Sequence, residues 1–147
     1  MEETLPFEQK RAENCLLTVK KRWQTEDPEV FRKYATFARE LPLAILRGGL
    51  GMALARLISS SKQTQSRQET DERAYGLLYE DLAEWLTRDE PDAPYWMQGQ
   101  KEDLLNAVMN GDRKQYRLAI SEAIAWLSLH YQLTSIYQNR ERGNQDE

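Results

Sequence analysis

The side chains that could do chemistry in this 147-residue chain are few and scattered. His130 is the single histidine and Cys15 the single cysteine. Zinc takes about four N, S or O ligands, and neither residue has a ligand-spaced companion, so His130 reads as a polar residue on a helix. Cys15 lies in the apolar run Cys15-Leu16-Leu17 and reads as a small core residue. Glu80 and Glu84, four apart beside Asp81, share a helix face that could in principle hold Mg²⁺. A solvated acidic face is the commoner meaning of that pattern. Gly48-Gly49-Leu50-Gly51 lacks the GxxxxGK[ST] order of a phosphate loop and follows a helix instead of a strand. Nothing resembles a nucleophile elbow or a cysteine-enzyme signature. The expectation is a protein that is not an enzyme and needs no metal or other cofactor.

The basic residues carry more weight. Lys20, Lys21, Arg22, Arg32, Lys33, Arg39, Arg47, Arg56, Lys62 and Arg67 all lie in the first half. Residues 1–67 hold 12 Lys/Arg against 8 Asp/Glu, a net of +4, and residues 68–147 hold 8 against 16, a net of −8. Such a split suggests a dipolar molecule, its basic side meeting a polyanion and its acidic side meeting basic neighbours or further copies. Solubility alone is the plainer explanation. Lys20, Lys21, Arg32, Lys33, Arg39, Arg47 and Lys62 are the candidate phosphate contacts, because cationic side chains pair with phosphate without reading sequence. A solvated helix face is the default for each, and Lys20–Arg22 also suit the negative end of a helix dipole. Most aromatic residues fall at core spacing. Tyr95-Trp96, in a proline-rich connection, is the pair expected to be exposed for partner contact.

Every strong periodicity is helical, which gives an all-α, compact single-domain bundle of about five to six helices over 1–147. A first helix is expected from about Phe7 to Trp23, with Lys10, Arg11 and Lys20–Arg22 outside. Asp27-Pro28 opens the second, as N-cap and first helical residue. Pro42 forces a kink or restart, and Gly48-Gly49 ends the run. Leu50 to about Ser60 is a small apolar helix, interrupted by Arg56. Residues 59–70 are expected to be a flexible polar loop. A fourth helix reaches about Thr87, a short fifth spans Gln100 to Met109, and Asp112 caps a last one to about Tyr137. Residues 138–147 are expected to be a disordered tail. No apolar run approaches the roughly 20 residues that span a bilayer, and the acidic start is unlike a signal peptide, so the expected location is cytoplasmic.

The stretch Tyr34 to Lys62 carries an order of features specific enough to name a family. Tyr34, Leu41-Pro42, Ile45, Gly49-Leu50, Ala53-Leu54-Ala55 and Ser61-Lys62 follow one another. That series, with Arg11-Ala12 in the first helix, resembles the small helical subunit of type III-B (Cmr) CRISPR effector complexes. Two positions depart from the family pattern: Gly48 where Asn is usual, and Arg56 where an aromatic is common. Arg56 therefore either shifts the register or reaches a surface.

The resemblance implies a non-catalytic subunit in several stacked copies along the guide–target RNA channel. It would touch the backbone subunit that holds guide RNA, the large polymerase-like subunit, and target RNA, with target cleavage left to the backbone subunit. No membrane partner is implied. The rival is a helical scaffold or adaptor in an unrelated assembly, without RNA contact.

Overall fold

The computed structural model describes residues 7–61, 69–96 and 104–145, with side chains through Arg140. These form six helices: α1 (Phe7–Thr25), α2 (Pro28–Gly48), α3 (Leu50–Ser61), α4 (Glu69–Leu86), α5 (Leu104–Asn110) and α6 (Arg113–Gln145). No strand occurs among the described residues, so the fold is all-α. None of the described helices is long and apolar enough to cross a membrane.

α2 is the centre of the bundle and packs on α4, α6 and α3, while α1 lies mainly on α6. Its start follows from its sequence. The Glu29 N–H donates to the Asp27 carboxylate at 2.9 Å, and Pro28 takes the first helical position, where no amide donor is needed. Val30, Phe31, Tyr34, Ala38, Leu41 and Ile45 recur at three-four spacing and are buried together. Across from them, Phe37 stacks on Tyr75 of α4 with centroids 3.9 Å apart.

Of the kink or restart expected at Pro42, the restart does not occur: α2 is continuous through it. The ring lacks an amide hydrogen and leaves the Ala38 carbonyl without its usual donor. Buried side chains on either side, Leu41 and Ile45, hold the helix together across that gap. The break comes at Gly49, the one positive-φ residue described, at φ 92° and ψ 160°. That region is essentially open to glycine alone. The Gly49 N–H still donates to the Ile45 carbonyl at 2.8 Å, closing α2 before the chain turns into α3. The Tyr116 hydroxyl accepts from the Leu50 N–H at 3.2 Å, so the first turn of α6 clasps the corner.

Several boundaries differ from expectation. α3 continues through Ser61, whose hydroxyl donates to the Ile58 carbonyl, and α4 already starts at Glu69. The polar loop expected over 59–70 is thus helical at both ends, and residues 62–68 lie outside the described residues. α6 does not stop near Tyr137 but is helical to Gln145, which includes most of the tail expected to be disordered. The Tyr137 ring packs on Trp23 of α1, and Arg140 lies over that ring, which ties the extension to the body. Asp112 caps α6 as expected, its carboxylate accepting from the Gln115 N–H while the Gln115 side chain accepts from the Asp112 N–H.

Candidate nucleic-acid interface

Folding sorts the cations into spent and free ones. Lys10 pairs with Glu90 and Asp92, Arg11 with Glu122, Arg22 with Asp81, and Lys33 with Asp71. Each of these pairs joins a first-half cation to a second-half carboxylate. The charge split along the sequence is therefore partly cancelled inside the molecule, and does not translate whole into one basic and one acidic face. Arg32 is held by Glu29 on its own helix, which lowers the Glu29 carboxyl below its ordinary range.

Among the described residues, Lys20, Lys21, Arg39, Arg47 and Arg56 form no ion pair, and all five are exposed. They are not gathered into one patch by any recorded contact. Lys20 and Lys21 lie on α1. Arg39 lines a small groove between α2 and α6 beside Tyr131 and Gln138. Arg47 and Arg56 line a separate cleft between α2 and α3. Arg56 thus reaches the surface with the α3 register intact, since Ala53, Leu54 and Leu57 stay buried. Lys62 lies outside the described residues. The motif residues Tyr34, Leu41, Ile45 and Leu50 are core, and Pro42 and Gly49 shape the backbone.

Arg22 was expected on the outer face of α1, and that is corrected: it is 6% exposed. Its Nε and Nη2 donate to the two Asp81 oxygens at 2.9 and 2.6 Å. The Tyr34 hydroxyl donates to Asp81 Oδ2 at 2.6 Å and lies 2.8 Å from His130 Nε2. With the Tyr34 proton committed to the carboxylate, His130 Nε2 carries the proton donated to Tyr34. Its Nδ1 is then a bare buried acceptor, and no hydrogen bond reaches it. Burial pushes the imidazole down to about 3, so it is neutral at pH 7. Burial also pulls the Asp81 carboxyl up, against hydrogen bonds from Arg22 and Tyr34, while the bond to Asp81 raises the guanidinium further. The two-toothed contact keeps the pair ionic.

A second buried carboxylate, Glu122, accepts from Arg11 at 2.6 and 2.8 Å and from the Trp85 indole at 2.9 Å. Both networks lock α1 to α4 and α6. Glu80 and Glu84 are exposed, and no metal-sized group of His, Cys, Asp and Glu occurs among the described residues. Cys15 is fully buried, and burial pushes its thiol up to about 12, which keeps it protonated and inert.

Tyr95-Trp96 is half corrected. Tyr95 is buried, its N–H donating to the Leu86 carbonyl, while Trp96 is exposed and its indole donates to Asp89.

The motif series on which the family resemblance rests runs along α2 and α3 from Tyr34 to Ser61, with Arg11-Ala12 on α1. The family model described as CRISPR-associated protein (Cas_Cmr5) matches residues 7–135. The chain belongs to this family. It is therefore a member of the small-subunit family of type III-B Cmr complexes, a structural component of a CRISPR effector. No curated protein matches the chain. The match spans α1 to α5 and most of α6, and takes in both buried networks and the Gly49 corner.

Proposed function

We propose that this chain is a non-catalytic subunit that stacks in several copies along the guide–target RNA channel of a type III-B complex and holds target RNA by its backbone. The family match over residues 7–135 carries this reading. Three free cations support the RNA contact: Lys20 and Lys21 on α1 and Arg39 on α2 are exposed and lack a carboxylate partner among the described residues. Arg32 and Lys33 are already engaged by Glu29 and Asp71 and would have to exchange partners to reach phosphate. Arg47 stands apart in the cleft it shares with Arg56, Glu40, Leu43 and Met52, and Lys62 stays in the proposed track through its place in the Ser61-Lys62 motif. Base pairing with the guide would supply sequence choice, so this chain needs only phosphate contacts. The backbone and polymerase-like subunits are the proposed neighbours.

Neutralised phosphates release counterions, so affinity should fall with salt by about 0.7 log units per contact for each log unit of salt. Target RNA binding by assembled complex is measured against salt for the native chain and for Lys20→Ala/Lys21→Ala/Arg39→Ala. Three lost contacts per copy flatten the slope, with little dependence on RNA sequence. An unchanged slope removes these three residues from the track.

A further inference from the structure

The cleft between the C-terminal half of α2 and α3 has a volume of about 430 Å³. Clefts of roughly 300–1,000 Å³ are the usual size for seating a ligand or side chains. Gly48 lines it beside Met52, and a Cβ added there would be in ordinary contact with Met52 Cγ at 3.6 Å. Arg47 from α2 and Arg56 from α3 line it, together with Leu43 and Met52 and one carboxylate, Glu40. Neither arginine forms an ion pair among the described residues, although most other arginines of the fold do. Leu43 is 51% and Met52 56% exposed, and Leu46 on the same stretch of α2 is 68% exposed.

This mixture discriminates between occupants. A nucleic-acid backbone would satisfy the guanidinium groups but leave Leu43 and Met52 against water or phosphate. No aromatic ring lines the cleft to stack a base. Arginine and methionine around an apolar centre are what protein interfaces favour, with charge-paired arginines among their strongest contacts. Free guanidinium groups at the walls call for carboxylates, and Glu40 calls for a donor.

We propose that this cleft docks a segment of another protein that presents one large apolar side chain between carboxylates. The apolar side chain sits against Leu43 and Met52, and the carboxylates pair with Arg47 and Arg56. This rests on the reading that the chain works inside a multi-subunit assembly, and it assigns Arg47 to protein contact instead of RNA.

The test places a photocrosslinking side chain in the cleft, as Met52→p-benzoylphenylalanine, in the complete guide-RNA-containing particle. Irradiation and mass spectrometry then identify what is attached. The expected product is one protein segment with a large apolar residue and at least two Asp or Glu within a helical turn of it. Adding Arg47→Glu/Arg56→Glu should lower its yield at least about tenfold, because unlike-charge contacts become like-charge ones. Lys114→Glu, at an exposed residue of α6 outside both the cleft and the proposed track, should leave the yield unchanged. A crosslink to RNA, a segment without carboxylates, or no crosslink in a particle that contains the chain overturns the proposal. A native chain that fails to enter the particle overturns the assembly reading instead, and the two failures are told apart by whether the chain is present.

Discussion

Arg22 and Asp81 form a buried ion pair, 6% and 3% exposed, that is costly to break from one side. Both charges have left water, and they are compensated mainly by each other, with Tyr34 donating to Asp81 and the exposed Glu80 3.7 Å from Arg22. Arg22→Ala leaves a buried carboxylate alone, so unfolding in urea should show a loss of about 3–5 kcal/mol. Arg22→Met/Asp81→Leu removes both charges and should recover most of that loss. A double variant as unstable as the single one would mean that the pair is favourable beyond mutual compensation. His130 sets a pH dependence. Its folded pKa of about 3 lies below its ordinary 6.5, so below pH 6.5 the unfolded chain takes up a proton that the fold refuses. The histidine's contribution is thus complete above about 6.5, and is lost at up to about 1.4 kcal/mol per pH unit down to about 3. His130→Gln keeps a donor to Tyr34 without the titration. Denaturation at pH 7 and pH 4.5 should show a smaller drop for this variant than for the native protein, and equal drops would exclude the histidine. These residues were visible in the sequence only as register anomalies. Arg22 continues the buried Cys15 and Val19 spacing, and Asp81 sits between Leu77, Leu78 and Trp85. A lone charge at a core position of each of two helices is a signal for a buried pair, but nothing local says that the helices meet.

At the scale of elements, the α2–α3 corner depends on one backbone conformation. Gly49→Val puts a branched side chain at φ 92°, with its Cβ 3.0 Å from the Tyr116 hydroxyl. Strain of about 1–3 kcal/mol and a weakened clasp on α6 should lower the melting temperature by several degrees. Gly48→Ala, at a helical φ with its Cβ in ordinary contact with Met52, should change it little. If Gly49→Val melts like the native protein while assembly fails, the corner is not architectural and the glycines belong to an interface. Local chemistry made much of this scale legible in advance. The caps Asp27 and Asp112 and the glycine stop announce themselves, because their hydrogen bonds lie within a few residues. Pro42 misled only as to a restart, because tertiary burial of Leu41 and Ile45 outweighs a missing helical hydrogen bond. The end of α6 misled too, since its contact with α1 runs through Trp23 and Tyr137, more than a hundred residues apart.

Across the whole molecule, the two oppositely charged halves interlock. Lys10, Arg11, Arg22 and Lys33 are consumed by second-half carboxylates, so only part of the basic excess faces outward. Counting charges along the chain overstates the surface available to RNA, because the sum does not know which charges folding pairs. The first-half cations left without an ion pair among the described residues differ in setting: exposed lysines and Arg39 in polar surroundings, and Arg47 with Arg56 around a cleft that also holds Leu43 and Met52. The first suits a phosphate track and the second a protein contact. The all-helical class and the family were legible from the Tyr34–Lys62 series, whereas this division needed the packing of α3 on α2.

The central claim is that this chain is a repeated component of an RNA-guided Cmr particle. The most direct measurement is native mass spectrometry of particles purified after co-expression of this chain with the other Cmr subunits and a guide RNA. The predicted result is an RNA-containing particle holding several copies of the chain. A particle that assembles in full, guide RNA included, with no copy of it would contradict the account.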